Sequence, residues 1–403
     1  MLGRKKNPLL RIVQEEEQPD AQMQEMKEKI RQHKKKFRIR VMICAAVVHA
    51  VLAGTYLFLT RYSYKEARIV ETYNGEGYGQ SSYTYFRNMI LKYSKDGISL
   101  IRPDGKEAWN QPCQLQNPMA EVRQETAAIA DCGGNDILVV GESGLKGEIH
   151  TTKQIEKIAL SPKGIVAAIL KDEVSPMIVC YDSAGNTLVE NKASFKNHGY
   201  PVDVSISDSG ELLMVSYAQV ENNMIQSRVV FYNFGKAGQD KQDHIVETYS
   251  YENQLVPSVF FMAKDTEVIV GEHEITICRG AQKPQVQKTI SFKKDIKSIC
   301  YDDNYIGVVL KGASKGGYEL QMYSSAGKQM FSKEFQGEFS NVKMYDGEIF
   351  MYEGNKCSIY TKDGIHRFDG ELIDSIVAVF PEPGINKYNV ITANSMQEIR
   401  LVK

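Results

Sequence analysis

Glycine-centred turns recur along this chain at a near-constant spacing. Taking one turn per unit, Gly105, Gly147, Gly185, Gly235, Gly280, Gly327 and Gly364 mark six intervals over 259 residues, individually 37 to 50 and averaging about 43. Between the turns lie short alternating runs such as "MILKYS", "ISLIR", "DILVV", "IVAAIL", "ELLMVSY", "RVVFYNF", "YIGVVL" and "EIFMY". Asp96-Gly97, Asp104-Gly105, Asp346-Gly347 and Asp363-Gly364, with "SPKG", "DSAG", "SDSG" and "SSAG", supply the positive-φ residues that tight hairpins need. A period of this length is one four-stranded propeller blade; a sandwich would need no such period.

Seven units are marked, and the segment after Gly370 reads as three strands lacking a fourth. Residues 67–73, "ARIVETY", form a spare strand with no hairpin partner. The expected fold class is therefore an all-β ectodomain, a β-propeller of eight four-stranded blades whose last blade is completed by the N-terminal strand. Without that strand the last blade would expose a sheet edge. Seven blades is the alternative if one weak unit is an insertion.

One transmembrane helix is expected before the propeller. Residues 41–60 carry no formal charge, and 20 residues of helix span about 30 Å, a hydrocarbon core. A cleaved leader is the competitor, but some 40 residues precede this run, and its apolar character continues past the only tolerable cleavage context. Arg31, Lys34, Lys35, Lys36, Arg38 and Arg40 crowd the N-terminal flank, against Arg61, Lys65 and Arg68 beyond, which puts the N-terminus in the cytoplasm. The expected organisation is a basic cytoplasmic tail over 1–40, partly helical or disordered, with Glu25 and Lys29 as an i,i+4 pair. A membrane helix follows over 41–60, a linker over 61–66, and the extracytoplasmic propeller over 67–403. The expected location is the cell membrane, crossed once.

Residues 1–40 hold 12 of the 49 basic and 6 of the 50 acidic residues, a balance of +6, and the remainder of the chain has −7. An acidic ectodomain steers nucleic acid away. Of the seven cysteines, Cys180, Cys278, Cys300 and Cys357 sit among apolar neighbours and read as buried free thiols. Cys113 and Cys132 lie near loops, where an exported domain permits but does not require a disulfide. "GEGYG" (75–79) leads into a strand-like segment, whereas a phosphate loop needs a helix N-terminus. The ectodomain histidines have no metal-ligand spacing, and "YDDNYIG" lacks the glycine and glutamate of a calcium loop. No catalytic, metal or cofactor-binding residue is nominated, and none of these functions is expected.

"ALSPKGIVAAIL" and "SISDSGELLMVSY" resemble the first-hairpin turns of WD40- and TolB-like bacterial propellers, and "IRPDGKEAW" resembles a closing strand of quinoprotein-like repeats. Trp109 is the one tryptophan, so the repeated Trp signature of quinoproteins is missing. The layout over residues 30–403, including "NP" at 117–118, "ADCGGNDILVVG" and "HGYPVDVSISDSG", resembles an uncharacterised family of membrane-anchored proteins from anaerobic Gram-positive bacteria, a domain of unknown function. The resemblance implies the fold and the anchor and brings no activity with it.

In four-stranded blades the first-to-second and third-to-fourth turns share one face, here the tight-turn face. The other face carries the second-to-third turns and the inter-blade connections, and the longer loops, 110–124, 171–176, 192–201, 218–226, 236–256 and 311–317, are expected there. Long loops on a rigid ring are where binding residues concentrate. Asn117, Pro118, His198, Tyr200, Pro201 and Tyr217 are the candidate interaction surface, against the blander reading of loop packing and turn geometry. The expected function is a non-enzymatic, membrane-tethered interaction or scaffold module of the cell envelope, its partner an envelope protein or wall polymer. The alternatives are an extracytoplasmic ligand sensor signalling through the helix, and an envelope enzyme or quinoprotein-like protein.

Overall fold

A computed structural model describes residues 19–75, 77–172, 176–192, 199–263, 265–312 and 316–403. The chain divides into two compact units, 1–61 and 62–403. In the first, one helix runs from Pro19 to Arg61 and holds a stretch long and apolar enough to cross a membrane. Its polar interruptions turn back on the helix: His49 Nδ1 lies 2.9 Å from the Ala45 carbonyl, and the Thr55 hydroxyl donates to the Val51 carbonyl at 2.8 Å. Such i−4 bonding satisfies a side chain without water. The expected Glu25–Lys29 pair is present at 2.9 Å.

The second unit is an eight-bladed propeller, and among the described residues its 32 strands form eight four-stranded antiparallel sheets. Blades 1 to 8 begin with the innermost strands Ser82–Phe86, Pro118–Arg123, Ile155–Leu160, Tyr200–Ile206, Ser258–Met262, Ile296–Tyr301, Asn341–Tyr345 and Ala378–Pro381. Their second and third strands are near-continuous apolar runs, such as "VAAIL" and "TEVIV", because both faces of each sheet are covered by neighbouring blades. Eight apolar clusters result, one in each gap between adjacent blades, including the gap between blade 8 and blade 1.

The expected closure is present. Strand Glu66–Asn74 pairs antiparallel with Ser395–Val402, from Glu66 opposite Val402 to Asn74 opposite Ser395. Part of the short linker expected over 61–66 is built into the ring, with Glu66 already in the closing strand. The Tyr64 N–H donates to the Arg367 carbonyl at 2.9 Å, its ring is buried in the blade 7–8 cluster, and its hydroxyl accepts from Asn386 Nδ2 at 2.7 Å. Lys403 Nζ lies 4.9 Å from the centre of the Tyr62 ring. The two ends of the ring are thus fastened side by side.

The marker glycines do different physical work. Gly105 has φ +73 in a tight turn, and a Cβ there would lie 2.4 Å from the ring of Tyr73 in the closing strand. Gly147 is no turn residue: it sits inside strand Gly144–His150, beside a bulge, and the turn glycine is Gly144. A Cβ on Gly147 would lie 1.8 Å from the Ser183 carbonyl oxygen of blade 3, so the absence of a side chain is what lets the blades approach. Two loop expectations are also corrected. Residues 218–226 are the end of a long hairpin, Leu212–Glu221 with Met224–Asn233, paired out to its tip. Residues 234–244 join the third and fourth strands of blade 4 and so belong to the tight-turn face.

Two outcomes are expected. A ring domain starting at residue 76 should melt lower and self-associate in size-exclusion chromatography, whereas one starting at residue 62 stays monomeric, because removing Glu66–Asn74 bares the edge of Ser395–Val402. Gly147→Ala should lower urea stability by about 1–3 kcal/mol through overpacking against Ser183.

Candidate site in the central channel

On the innermost strand of blade 2, Ala120 and Val122 pack into the blade 1–2 cluster, which turns the alternate residues Glu121 and Arg123 towards the channel. Arg123 reaches across it. Nη1 donates to Asp303 Oδ1 of blade 6 at 3.0 Å, and Nη2 donates to Asp208 Oδ1 of blade 4 at 2.9 Å. Blades 2 and 6 stand four apart in a ring of eight, so this contact follows a diameter. Two chambers of the channel share Glu121, Val122, Arg123 and Tyr301 in their walls. One chamber, about 290 Å³, lies against blades 3, 4 and 5; the other, about 530 Å³, lies against blades 1 and 7.

The smaller chamber is knitted by side chains that satisfy an innermost strand edge. Asp203 of blade 4 accepts from Lys157 Nζ of blade 3 at 3.0 Å and from the Val259 N–H of blade 5 at 2.9 Å. The Phe261 N–H donates to Ser205 Oγ at 3.2 Å. Such edge N–H groups have no ladder partner and need another acceptor when buried. Phe260 stacks on Tyr301 with ring centres 3.6 Å apart and planes 3° from parallel.

Glu121 is wetted by the channel, yet protein surrounds it. Desolvation first, then repulsion from Asp203, pushes its carboxyl up to about 7, against the pull of Lys157, Arg123 and Lys343. The Tyr301 hydroxyl is pushed above its ordinary value, mainly by desolvation, then by the charges of Glu121 and Asp203. In "YDDNYIG", Asp302 accepts from the Asn304 and Tyr305 N–H groups and from the Gly347 N–H of blade 7, each at 2.8 Å, while Asp303 holds Arg123. Both carboxylates of that motif are engaged by protein donors.

The residues nominated from sequence lie elsewhere. Asn117 is exposed, but its N–H donates to Asp131 Oδ1 at 2.7 Å and its carbonyl accepts from the Cys132 N–H at 2.9 Å, which fixes the connection into blade 2. Pro118 opens the innermost strand of blade 2 opposite Asp131. Tyr200 opens that of blade 4 and donates its hydroxyl to Glu156. Pro201 is buried opposite Tyr217. Tyr217 is a correction: its side chain is fully buried, with its hydroxyl 2.8 Å from that of Tyr232, so it belongs to the core and not to a surface. His198 lies outside the described residues. Cys113 and Cys132 are free thiols. Cys180, Cys278, Cys300 and Cys357 are buried and free as expected, and burial pushes each up to about 12.

An eight-bladed ring closed by its own N-terminal strand, with an apolar helix ahead of it in the chain, defines a β-propeller protein. The chain belongs to a family of unknown function (DUF5711), which it matches over residues 60–401. Comparison with curated proteins finds no match. Among solved structures, BamB from Moraxella catarrhalis is similar in fold, with TM-score 0.50 and 8% identity, over 83% of this chain and 100% of that one. Raptor from Chaetomium thermophilum gives TM-score 0.47 and 10% identity over 86% of this chain and 30% of that one. Hsv2p from Kluyveromyces lactis gives 0.46 and 11% over 76% and 96%.

Replacing Arg123 leaves the Asp208 and Asp303 carboxylates without the guanidinium that holds them both. Arg123→Met should cost about 1–2 kcal/mol in urea unfolding, a figure kept low because Asp208 and Asp303 are part exposed. A double-mutant cycle with Asp303→Asn should show coupling of at least about 0.5 kcal/mol, since the two groups act as one contact.

Proposed function

We propose that this protein is a non-enzymatic interaction module of the cell envelope, tethered to the membrane by its N-terminal helix, with the ring outside the cytoplasm. The observation that carries the reading is the long hairpin of blade 4. Its strands, Leu212–Glu221 and Met224–Asn233, have ten residues each where those of most blades have five or six. Among the described residues, pairing to the flanking strands stops at Ala218 on one side and Gln226 on the other, so the last rungs are paired only with each other. Asn222 and Asn223, with φ +52 and +61, close the tip as a tight hairpin turn requires.

Val220 and Ile225 are directly paired on this tip and are 75% and 46% exposed, with Met224 beside them at 43%. Folding of the ring makes no use of that apolar surface. Covering each such side chain contributes about 1.5–3 kcal/mol, and an open strand edge offers backbone hydrogen bonds to an added strand. We assign the partner as an envelope protein that lays an extended apolar segment on this edge. A wall polysaccharide would call for an aromatic platform, which the tip lacks. The distribution of basic residues around the helix supports the orientation. Burial of the four core thiols supports the non-enzymatic part, since the thiolate is the nucleophile and burial suppresses it. One observation favours a second reading, a ligand sensor: the channel keeps a chamber of about 530 Å³, within the size range of small-molecule sites.

A photo-crosslinker at position 220, in membranes, should give one recurrent protein adduct. Val220→Asp with Ile225→Asp should reduce an adduct formed from position 219 at least tenfold at unchanged melting temperature. No recurrent adduct, or one indifferent to the substitutions, would count against the docking edge. Under the sensor reading, deletion of residues 1–30 should abolish the protein's cellular effect.

A further inference from the structure

The larger channel chamber contains two charges that the fold leaves unused. Arg123, Lys157, Asp203, Asp208 and Asp303 are each engaged by protein partners. Glu121 of blade 2 and Lys343 of blade 7 are not: neither makes a hydrogen bond or ion pair among the described residues, although both line this chamber. Each is delivered there by the same strand logic. Ala120 and Val122 bury themselves in the blade 1–2 cluster and send Glu121 the other way. Val342 and Met344 bury themselves in the blade 6–7 cluster and do the same for Lys343.

The two groups feel each other, since Lys343 lowers the proton affinity of Glu121, yet they stand farther apart than an ion pair. Between them is a chamber of about 530 Å³ whose wall includes Tyr85, Tyr301 and Tyr345. The Tyr85 hydroxyl is held by Asn88 at 2.7 Å and Asp346 at 3.2 Å, which fixes that wall. An unpaired carboxylate and an unpaired ammonium facing one space match a ligand with the opposite pair of charges, and aromatic walls suit a short side chain between them.

We propose that this chamber binds a small α-amino zwitterion, a free amino acid or a short peptide held by its termini, with the ligand ammonium on Glu121 and its carboxylate on Lys343. The site is independent of the blade 4 docking edge. A metal is not the occupant that fits, because the chamber's other carboxylates, Asp302, Asp303 and Asp346, are each taken by protein donors. Binding should depend on pH with a defined sign. The Glu121 carboxyl titrates at about 7, so it is neutral below and charged above, and ammonium binding should strengthen from pH 6 to pH 8. Asp203 reinforces the negative potential there; Lys157, Arg123 and Lys343 oppose it, and Tyr301 faces the carboxyl from blade 6.

The test is calorimetric titration of the purified full-length chain in detergent with alanine, dialanine, N-acetylalanine and alaninamide. Alanine or dialanine should bind saturably, and the two blocked compounds, each lacking one charge, at least tenfold more weakly; which parent is tighter tells an amino-acid site from a peptide-terminus site. Glu121→Gln should lose the gain in affinity between pH 6 and pH 8, and Lys343→Met should erase the preference for alanine over alaninamide. No saturation by either parent at about 10 mM, a concentration tenfold above a Kd of 1 mM, or equal binding of blocked and unblocked compounds, overturns the proposal without reference to any variant.

Discussion

The ring exists because its two ends pair. Each blade covers its neighbours, so the apolar runs of the middle strands have a dry environment only while every gap is closed. The gap between blades 8 and 1 is the one that no local hairpin secures. Strand Glu66–Asn74 supplies the missing outer strand of blade 8, and Tyr64 just before it is tied to blade 7 by backbone bonds and to Asn386 by its hydroxyl. The N-terminal segment therefore binds two blades at once. That long-range pairing carries a loop-closure cost which grows only slowly with chain length. Closure of this kind also removes the edge that an open stack of sheets would offer to other chains.

Closing a ring of eight has a second consequence. The innermost strands stand around an opening that apolar side chains from one blade do not fill, and their free edges still need hydrogen-bond partners. Here polar side chains supply both filling and partners. Asp203 and Ser205 take the edge N–H groups of blade 5, and Arg123 crosses the opening to two blades. The bidentate geometry of a guanidinium suits one residue to hold two carboxylates from different directions. Among the described residues, the charged channel groups that remain unpaired after this filling are Glu121 and Lys343, and their position follows from which strand residues the neighbouring cores claim.

Most of the architecture was legible because a turn repeat reports on chain path and not on packing detail. The period marks seven units, and the tail after Gly370 with the orphan strand at 67–73 supplies the eighth and the closure. Gly147 shows the limit: a glycine in a Gly-rich stretch reads as a turn, but here it serves a blade-to-blade approach that involves Ser183, 36 residues away. Tyr217 shows another: its neighbours "YAQVENN" look like a loop, whereas the strand continues to Glu221 and the ring turns inward to Tyr232. The channel residues were passed over because "PMAEVR" reads as an ordinary half-exposed strand. A signal was there, in that Glu121 and Arg123 alternate with small apolar residues on the first strand of a blade, the position that always faces the opening. Which distant blade would answer them depends on ring geometry that no local pattern carries.

Departures from a repeat need a reason, because regular units already close and fill the ring. Two departures stand out by cost. The blade 4 hairpin carries apolar side chains into water, at roughly 25 cal/mol for each Å² left uncovered, and extends past the described strands that flank it. The larger channel chamber keeps a carboxylate and an ammonium in the same partly desolvated space without an ion pair between them. Neither is needed to complete a sheet, a gap or the closure. On the reading proposed above, these two are surfaces for something outside the chain, one suited to a strand and the other to a small charged molecule.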